Sequence, residues 1–367
     1  MLGNGHVRFG ERSEETDWPK GQHRASLRLY YNLLESTFGL LLVNPRHVKT
    51  VPGRKTDVKD CEWLANLLRL GLLEGSFVPN REQRELRELT RYRTTLVRQR
   101  ADEVNRLQKT LEGANIKLAS VATDILGKSG RAILEALVAG STDTAAMAEL
   151  AKGRLRNKIP QLEQALAGRV GTHQVFLVSE QLALIDALDA SIERVDAEVQ
   201  ARTRPFVEVI QRLDSIPGID RRAAEIIVAE IGTDMSHFPT YRHLAKWAGL
   251  CPGNHESAGK RLSGRTTHGN PWLRTALVQA AQAAGHTTTY LAAQLHRLKS
   301  RRGPKKAVIA VAHTLLVIAY HVIKNPVMYA ELGHHYFDER DRDAVRKRLI
   351  TRLEGLGYAV SLVPKAA

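Results

Sequence analysis

The sequence predicts a fold built mainly of α-helices from residue 81 onward. Leucine and valine residues recur at three- and four-residue spacing among charged residues from Arg81 to Ile116, and a second such stretch runs from about Leu162 to Thr203. Further along, apolar residues at helical spacing lie on both sides of Pro217-Gly218. These patterns predict two long amphipathic helices and then an all-α C-terminal domain with a tight turn between two short helices.

The two long helices predict a coiled-coil connector over residues 81–205. Their apolar residues could pack against each other as a helical hairpin within one chain, or against copies of the same helices in another subunit. The apolar seam suits both arrangements equally, so the sequence leaves both open.

The chain is strongly basic. It has 54 lysines and arginines against 39 acidic residues, a formal net charge of +15, and a sequence pI near 9.9. Such an excess makes phosphate polyanions the natural partners, with binding that weakens as salt rises. The main basic tracts are Arg81 to Arg106, Arg297 to Lys306 and Arg340 to Arg352.

Other features narrow the class of protein. Cys61 and Cys251 are the two cysteines, which indicates neither a disulfide framework nor a zinc cluster and fits a reducing cytosol. The most apolar run, Ala307 to Ile323, contains two histidines and is short for a membrane span. It predicts a buried core helix, and no membrane partner is expected.

The turn in LDSIPGIDRRAAEIIVAEIG predicts a helix-hairpin-helix motif. Pro217, Gly218 and Ile219 form its centre, and the glycine would let the turn approach a phosphate closely. The backbone N–H groups that open the second helix would bind that phosphate and position the protein on DNA without reading its sequence. The alternative is an αα-corner that only packs.

A serine lies in the donor-rich loop that follows. Ser257 is followed closely by Lys260 and Arg261, and Asn270-Pro271 then opens an apolar helix. The cations would lower the energy of a serine alkoxide and stabilise the charge that grows on phosphorus during attack on a phosphodiester. The alternative is a serine that caps a helix or faces water, as most loop serines do.

These sequence motifs resemble those of a known family. Residues from about Leu213 to Ala283 look like the C-terminal domain of the IS110 family of insertion-sequence transposases. The N-terminal catalytic domain of that family is similar to residues 40–80, which include LLLVNPRHVKTVPGRKTDVKDCEWLANLLRLGLLEGSFVPN. The resemblance implies a DEDD recombinase: an RNase-H-like domain holds metal ions on four acids, and a serine becomes covalently joined to DNA.

The resemblance also implies roles for particular residues. Asp57 and Asp60 match the last two acids of the tetrad, and Ser257 matches the serine. Two carboxylates three residues apart share one face of a helix and can bind Mg²⁺, which prefers oxygen ligands. Arg54 and Lys55 would hold the substrate backbone. We expect Lys260, Arg261 and Arg274 to stabilise the pentacoordinate phosphorus or to bind the DNA strand. An acidic turn that complements a helix dipole is the alternative for the two aspartates.

The start of the chain departs from the family pattern. Residues 1–29 show no apolar alternation able to form a central strand, and the first Asp and the Glu of the tetrad have no motif here. We therefore expect that the chain lacks the family's true N-terminus, through a frameshift or an internal start, and that residues 1–29 are a non-matching tail.

The predicted fold class is therefore α/β plus α. A truncated RNase-H-like (RuvC-like) domain at 30–80 precedes the coiled-coil connector, the all-α domain with its helix-hairpin-helix at 206–330, and a tail at 331–367. The resemblance implies DNA (transposon ends and target), a guide RNA from the same element and a homo-oligomer, dimer or tetramer, in the bacterial cytoplasm with the nucleoid. Two other functions stay open: a catalytically inactive nucleic-acid-binding remnant and a metal-dependent helix-hairpin-helix nuclease.

Overall fold

A computed structural model of the chain describes residues 31–43, 60–73, 75–253 and 255–362. The chain forms two compact units, Met1–Asn80 and Arg81–Ala367. In the described residues the fold is mainly helical, as predicted.

Among the described residues of the first unit, α1 spans Asp60–Arg69. A helical turn lies at 31–34, and an isolated antiparallel bridge joins Val43 to Gly75. In the described part of this unit there is no strand beyond that bridge. The predicted positions of Asp57, Arg54 and Lys55 fall outside the described residues.

The second unit begins with a helical stalk, formed by α2 (Arg81–Gly113) and α7 (Thr172–Thr203). The helices run antiparallel, because Arg93 pairs with Asp196 and Arg100 with Asp189. Both helices also bury apolar side chains, among them Leu86, Leu96, Val178, Leu182 and Val199. The two long helices therefore form a hairpin within one chain.

A small helical tip caps the far end of the stalk. It comprises α3 (Leu118–Val121), α4 (Lys128–Val138), α5 (Thr144–Glu149), a 3₁₀ turn (Gly153–Lys158) and α6 (Ile159–Leu166). Buried residues of all these α-helices and of the stalk ends share one hydrophobic core.

One boundary expected from the sequence is wrong. The pattern from Leu162 to Thr203 is two helices, α6 and α7, with a break over residues 167–171. In this break the Arg169 N–H donates to the Ala114 carbonyl at 2.9 Å, and a Cβ added at Gly168 would lie 2.4 Å from the same oxygen. The chain bends here because this segment packs on the end of α2.

The C-terminal domain is a cluster of helices. It contains α8 (Val207–Asp214), α9 (Arg221–Ile231), α10 (Tyr241–Trp247), α11 (Pro271–Ala284), α12 (Tyr290–Arg302) and α13 (Pro304–Lys324), with 3₁₀ turns at Arg204–Phe206 and Met235–His237. α14 (Tyr336–Arg340) and α15 (Arg342–Glu354) follow. Strands β1 (His255–Ser257) and β2 (Lys260–Ser263) form a small antiparallel sheet, so the expectation of an all-α domain is wrong at this point.

The central helix of this domain is α13. Its buried side chains include Val311, Leu315, Leu316 and Tyr320, and the Tyr320 hydroxyl donates to the Phe238 carbonyl at 3.0 Å. By length and composition α13 would also suit a membrane span, and half of its most apolar stretch is buried inside the fold. The predicted core helix at 307–323 is thus confirmed as part of α13.

Candidate functional site

Ser257 is the last residue of the first strand in a short β-hairpin, residues 255–263, which we call the serine hairpin. It is paired with Lys260 across a two-residue turn. The turn residues Ala258 and Gly259 have φ values of +50° and +73°. Positive φ at both central residues is what a type I′ turn requires, and the twist of that turn matches the twist of the strands. The serine predicted to lie in an open loop therefore precedes a tight turn.

The tip of the serine hairpin is exposed. Ala258, Gly259 and Lys260 are all solvent-exposed, and a Cβ added at Gly259 would meet nothing within 4 Å. The next pair in the register joins Glu256 to Arg261. In the backbone register, Lys260 is therefore opposite Ser257, and the second predicted cation, Arg261, is opposite Glu256.

The base of the hairpin is fixed where α10 ends and α11 begins. The Gly253 N–H donates to the Arg265 carbonyl at 2.8 Å. A Cβ added at Gly269 would lie 2.2 Å from the Gly249 nitrogen, so the two ends of the loop touch through their backbones. Only glycine permits this approach, and the contact holds the exposed turn on a defined base.

A cysteine, Cys251, lies at the base of this loop. Burial raises the pKa of the Cys251 thiol, and nearby Lys246 lowers it by less. The thiol is therefore protonated at neutral pH, and since the thiolate is the reactive form, Cys251 is a weak competitor for electrophiles.

A buried ionic cluster joins the stalk to the C-terminal domain. The Glu230 side chain on α9 is fully buried, and Arg91 on α2 donates to both of its carboxylate oxygens, at 2.7 and 2.8 Å. Arg87, one turn earlier on α2, donates to the Ala229 carbonyl at 3.0 Å. Bidentate arginine contacts satisfy a buried carboxylate with defined geometry. We call these residues, with Asn270, the Glu230 cluster.

Asn270 links this cluster to the start of α11. Its side-chain N–H donates to Glu230 at 2.5 Å, and its side-chain oxygen accepts from the N–H groups of Trp272 and Leu273 at 3.0 and 3.2 Å. Asparagine at this position caps a helix, as the Asn270-Pro271 pattern predicted. The loop that carries the serine hairpin therefore ends on a residue held by a buried charge.

The turn between α8 and α9 packs closely on α11. Gly218 has φ +88°, and a Cβ added to it would lie 2.3 Å from the Ala280 carbonyl. Ile219 is buried and Pro217 is half-buried. The close approach that Gly218 permits is thus to another helix, whereas the sequence argument assigned it to a phosphate. The Asp220 side chain caps α9 by accepting from the Ala223 N–H at 2.8 Å.

A groove of about 580 Å³ runs between this turn, α2 and α11. Trp272 lies on its wall, with the guanidinium carbons of Arg98 and Arg91 at 5.3 and 5.8 Å from its ring centroids. Arg98 is exposed, and within the described residues it forms no ion pair. Tryptophan and arginine side chains of this kind form stacking surfaces for nucleic-acid bases.

The remaining predicted residues lie apart from one another in the chain. Arg274 is half-buried in the first turns of α11, and its N–H donates to the Asn270 carbonyl at 3.1 Å. Asp60 is the first residue of α1. In the described ranges, no group of three or more His, Cys, Asp or Glu residues could hold a metal ion.

Sequence reasoning missed two parts of this region. Glu230 lies in an ordinary amphipathic pattern, and nothing local distinguishes it from a surface glutamate. The groove was missed because Arg98 and Trp272 are far apart in sequence. A signal for the groove was present in the arginines of α2, since Arg84, Arg87, Arg91 and Arg98 recur on one face of that helix.

Comparison with known families gives two matches. Residues 12–116 match a family model for DEDD transposases of the IS110 type, described as a transposase. Residues 210–297, which hold the α8–α9 turn and the serine hairpin, match the model described as the transposase IS116/IS110/IS902 family. The first match begins at residue 12, inside residues 1–29, which were expected to be a non-matching tail. It implies an RNase-H-like fold for the N-terminal part.

Curated proteins with similar sequences carry related descriptions. A probable family 20 transposase of Pseudomonas aeruginosa is 27% identical over 294 residues, which is 78% of each chain. The transposase for insertion sequence element IS1111A of Coxiella burnetii is 26% identical over 297 residues, 78% of this chain and 72% of the relative. A pilin gene-inverting protein of Moraxella bovis is 34% identical over 117 residues, 30% of this chain and 36% of the relative.

Proposed function

This chain belongs to the IS110 family of insertion-sequence transposases, and we propose that it cuts and rejoins DNA through attack of Ser257 on a phosphodiester. The observation that supports this most directly is the pairing of Ser257 with Lys260 beside an exposed type I′-like turn. The turn residues next to Ser257 are exposed, so a DNA backbone could approach this end of the hairpin.

The proposed reaction conserves the phosphodiester energy. The Ser257 oxygen attacks phosphorus, a serine–phosphate bond forms, and the bond to one deoxyribose oxygen breaks. The departing sugar oxygen takes up a proton and the serine hydroxyl loses one. Rejoining is the reverse attack by a deoxyribose hydroxyl, so no nucleotide cofactor is needed.

Lys260 is the first candidate for stabilising this reaction. Residues directly opposite in an antiparallel pair are near enough for their side chains to interact, and Lys260 is opposite Ser257. An ammonium group there would favour the serine alkoxide and the extra charge on the pentacoordinate phosphorus. Arg261 and Arg274 are proposed to bind the strand on either side.

The carboxylates proposed for metal binding are Asp57 and Asp60, with further acids of the N-terminal part. Carboxylate oxygens suit Mg²⁺. Asp60 is the first residue of α1, and Asp57 lies outside the described residues. Bound Mg²⁺ would polarise the phosphate and stabilise the leaving oxygen. Arg54 and Lys55 would hold the same strand by its phosphates.

The α8–α9 turn is proposed as a sequence-independent DNA contact. Because Gly218 packs on α11, and Asp220 already accepts from the Ala223 and Ala224 N–H groups, the groups proposed for a phosphate are the backbone N–H groups of Arg221 and Arg222. Pro217, Gly218 and Ile219 would fix the orientation of that helix end. The groove with Arg98 and Trp272 begins beside it and would continue the contact.

Two further parts of the proposal rest on the family alone. A structured RNA from the element would guide the enzyme to its DNA sites. Subunits would assemble so that Ser257 of one chain meets the acids of another, in a dimer or tetramer.

A denaturing-gel assay tests the central step. The purified chain is incubated with labelled DNA from the element's ends, the element's transcribed RNA and Mg²⁺. We expect a covalent protein–DNA adduct that Ser257→Ala abolishes and EDTA prevents. Ser263→Ala is the matched control, because Ser263 lies in the same hairpin, and it should keep the adduct.

The same gel separates the other two functions. Mg²⁺-dependent cleavage that survives Ser257→Ala would make the protein a metal nuclease and overturn the serine mechanism. Binding of DNA with neither cleavage nor adduct would identify an inactive nucleic-acid-binding remnant.

A further inference from the structure

A cluster of basic side chains lies where α12 turns into α13. We call it the basic corner: Lys299, Arg301, Arg302, Lys305 and Lys306. All five are exposed, and among the described residues none forms an ion pair with a carboxylate. The preceding arginine on α12, Arg297, does have a partner, since it donates to Asp338 at 3.1 Å. Within the described residues, the five cations of the basic corner therefore lack an ion pair of the kind that Arg297 forms with Asp338.

Two of these residues lie where helix electrostatics oppose them. Lys305 and Lys306 are in the first turn of α13, which contains no acidic residue. The N-terminus of a helix carries positive partial charge, so cations there destabilise the helix and acids stabilise it. Lys299, Arg301 and Arg302 stabilise the end of α12 by the same rule. The three cations at the end of α12 therefore stabilise their helix, whereas Lys305 and Lys306 destabilise the start of α13.

The corner is also open. Gly303, between the two helices, has φ +80°, and a Cβ added to it would meet nothing within 4 Å. A glycine is favoured at this position by the positive φ, and not by close packing. Pro304 follows and starts α13. An external ligand can therefore reach the cations from outside.

We propose that the basic corner binds the phosphodiester backbone of a nucleic acid, as a contact separate from the serine hairpin and the α8–α9 turn. Five unpaired cations within eight residues match the spaced negative charges of a backbone, and side chains of this kind contact phosphates without reading sequence. The inference rests on the proposed function only in taking nucleic acid as the partner. Duplex DNA and structured RNA share this chemistry.

The test is a neutralising pair, Lys305→Gln with Lys306→Gln, in the full-length chain. Binding to duplex DNA and to duplex RNA of equal length is measured by fluorescence anisotropy over a range of salt, with EDTA present so that no chemistry occurs. If both lysines contact phosphates, the slope of log K against log salt should fall by about 2 for the nucleic acid that uses the corner. Affinity at about 0.1 M salt should fall at least tenfold.

The matched control is Lys347→Gln with Arg348→Gln. These residues are exposed cations on α15, and the pair removes the same net charge. It should leave the salt slope nearly unchanged. Thermal melting checks the fold, and because the α13 lysines oppose the helix dipole, their removal should leave the melting temperature equal or higher.

The outcomes are separable from those of the serine assay. Equal loss of slope in both variants would show a general charge effect and overturn the proposal, as would no loss in either. A loss confined to the α13 pair supports the corner even if the wild-type chain forms no adduct. An adduct formed by a chain whose corner variants bind normally would leave the serine mechanism standing and remove the corner.

Discussion

The Glu230 cluster and the serine hairpin lie in neighbouring parts of one domain and are built in opposite ways. The cluster buries a carboxylate completely and satisfies it with Arg91 and Asn270. The hairpin exposes its turn, and backbone contacts hold its base. Asn270 belongs to both, since it binds Glu230 and ends the loop that carries the hairpin.

This difference indicates how an exposed turn can be held in a defined position. A short two-stranded hairpin is marginal by itself. Here its geometry depends on a rigid base, in which the stalk, α9 and α11 meet around one buried charge. We therefore expect changes to the base to affect the whole domain, and changes to the hairpin tip to stay local.

The largest effect should come from Glu230→Gln. The amide cannot replace the carboxylate for Arg91, and breaking a buried ion pair leaves an uncompensated charge that costs about 3–5 kcal/mol. We expect a loss of this size in the free energy of unfolding, measured by urea denaturation followed by circular dichroism.

Glu198→Gln is the control for that change. Glu198 pairs with Arg202 on the exposed side of the stalk, with a side-chain exposure of 49%, and exposed pairs contribute little. Losses of equal size in the two variants would show that burial of Glu230 has no special role in the domain.

A pair of glycine substitutions compares the base with the tip. Gly218→Ala adds a Cβ 2.3 Å from the Ala280 carbonyl at φ +88°, and should cost about 2–4 kcal/mol of global stability. Gly259→Ala meets nothing within 4 Å, so only its positive φ opposes it, at about 1–2 kcal/mol.

The second of these costs should be confined to the hairpin. Because the hairpin can open while the core stays folded, urea denaturation should show almost no change for Gly259→Ala, and hydrogen exchange should be faster only in residues near 255–263. A large drop in global stability for Gly259→Ala would mean that the hairpin is part of the cooperative core.

The smallest effect is a pH dependence of the core helix α13. Burial lowers the pKa of His313 from its ordinary value of 6.5. The unfolded chain therefore binds a proton more readily than the folded one, so this contribution to stability is complete above pH 6.5 and is lost as the pH falls below it. Melting temperatures at pH 8, 6.5 and 5 should show this loss.

His313→Gln should reduce that dependence. The exposed His173 on α7 supplies the control, and His173→Gln should melt with the wild-type pH profile. Identical profiles for wild type and His313→Gln would remove His313 as the source.

Several elements followed from local sequence. The leucine spacing predicted α2 nearly to its ends, and Asn270-Pro271 predicted the start of α11, because capping depends on a few adjacent residues. The break at residues 167–171 was missed, because its cause is packing against the end of α2, which no local pattern shows. The strands around Ser257 were missed since three- and four-residue strands leave almost no periodicity.

The candidate site divides in the same way. Ser257, Lys260 and the Pro217-Gly218 turn could be singled out from composition, spacing and family resemblance. Their surroundings could not be. The register of the hairpin decides which residue is paired with Ser257. Gly218 packs against a helix about sixty residues further along the chain.

The sequence by itself determined the basic charge, the mainly helical fold and the family, because these depend on composition and on short patterns. Only the tertiary structure decided that the long helices pair within one chain, that Gly218 faces α11, and that Glu230 is buried beneath two arginines. Each of these depends on contacts between distant segments, and it is the packing of those segments that selects one arrangement among those the local patterns allow.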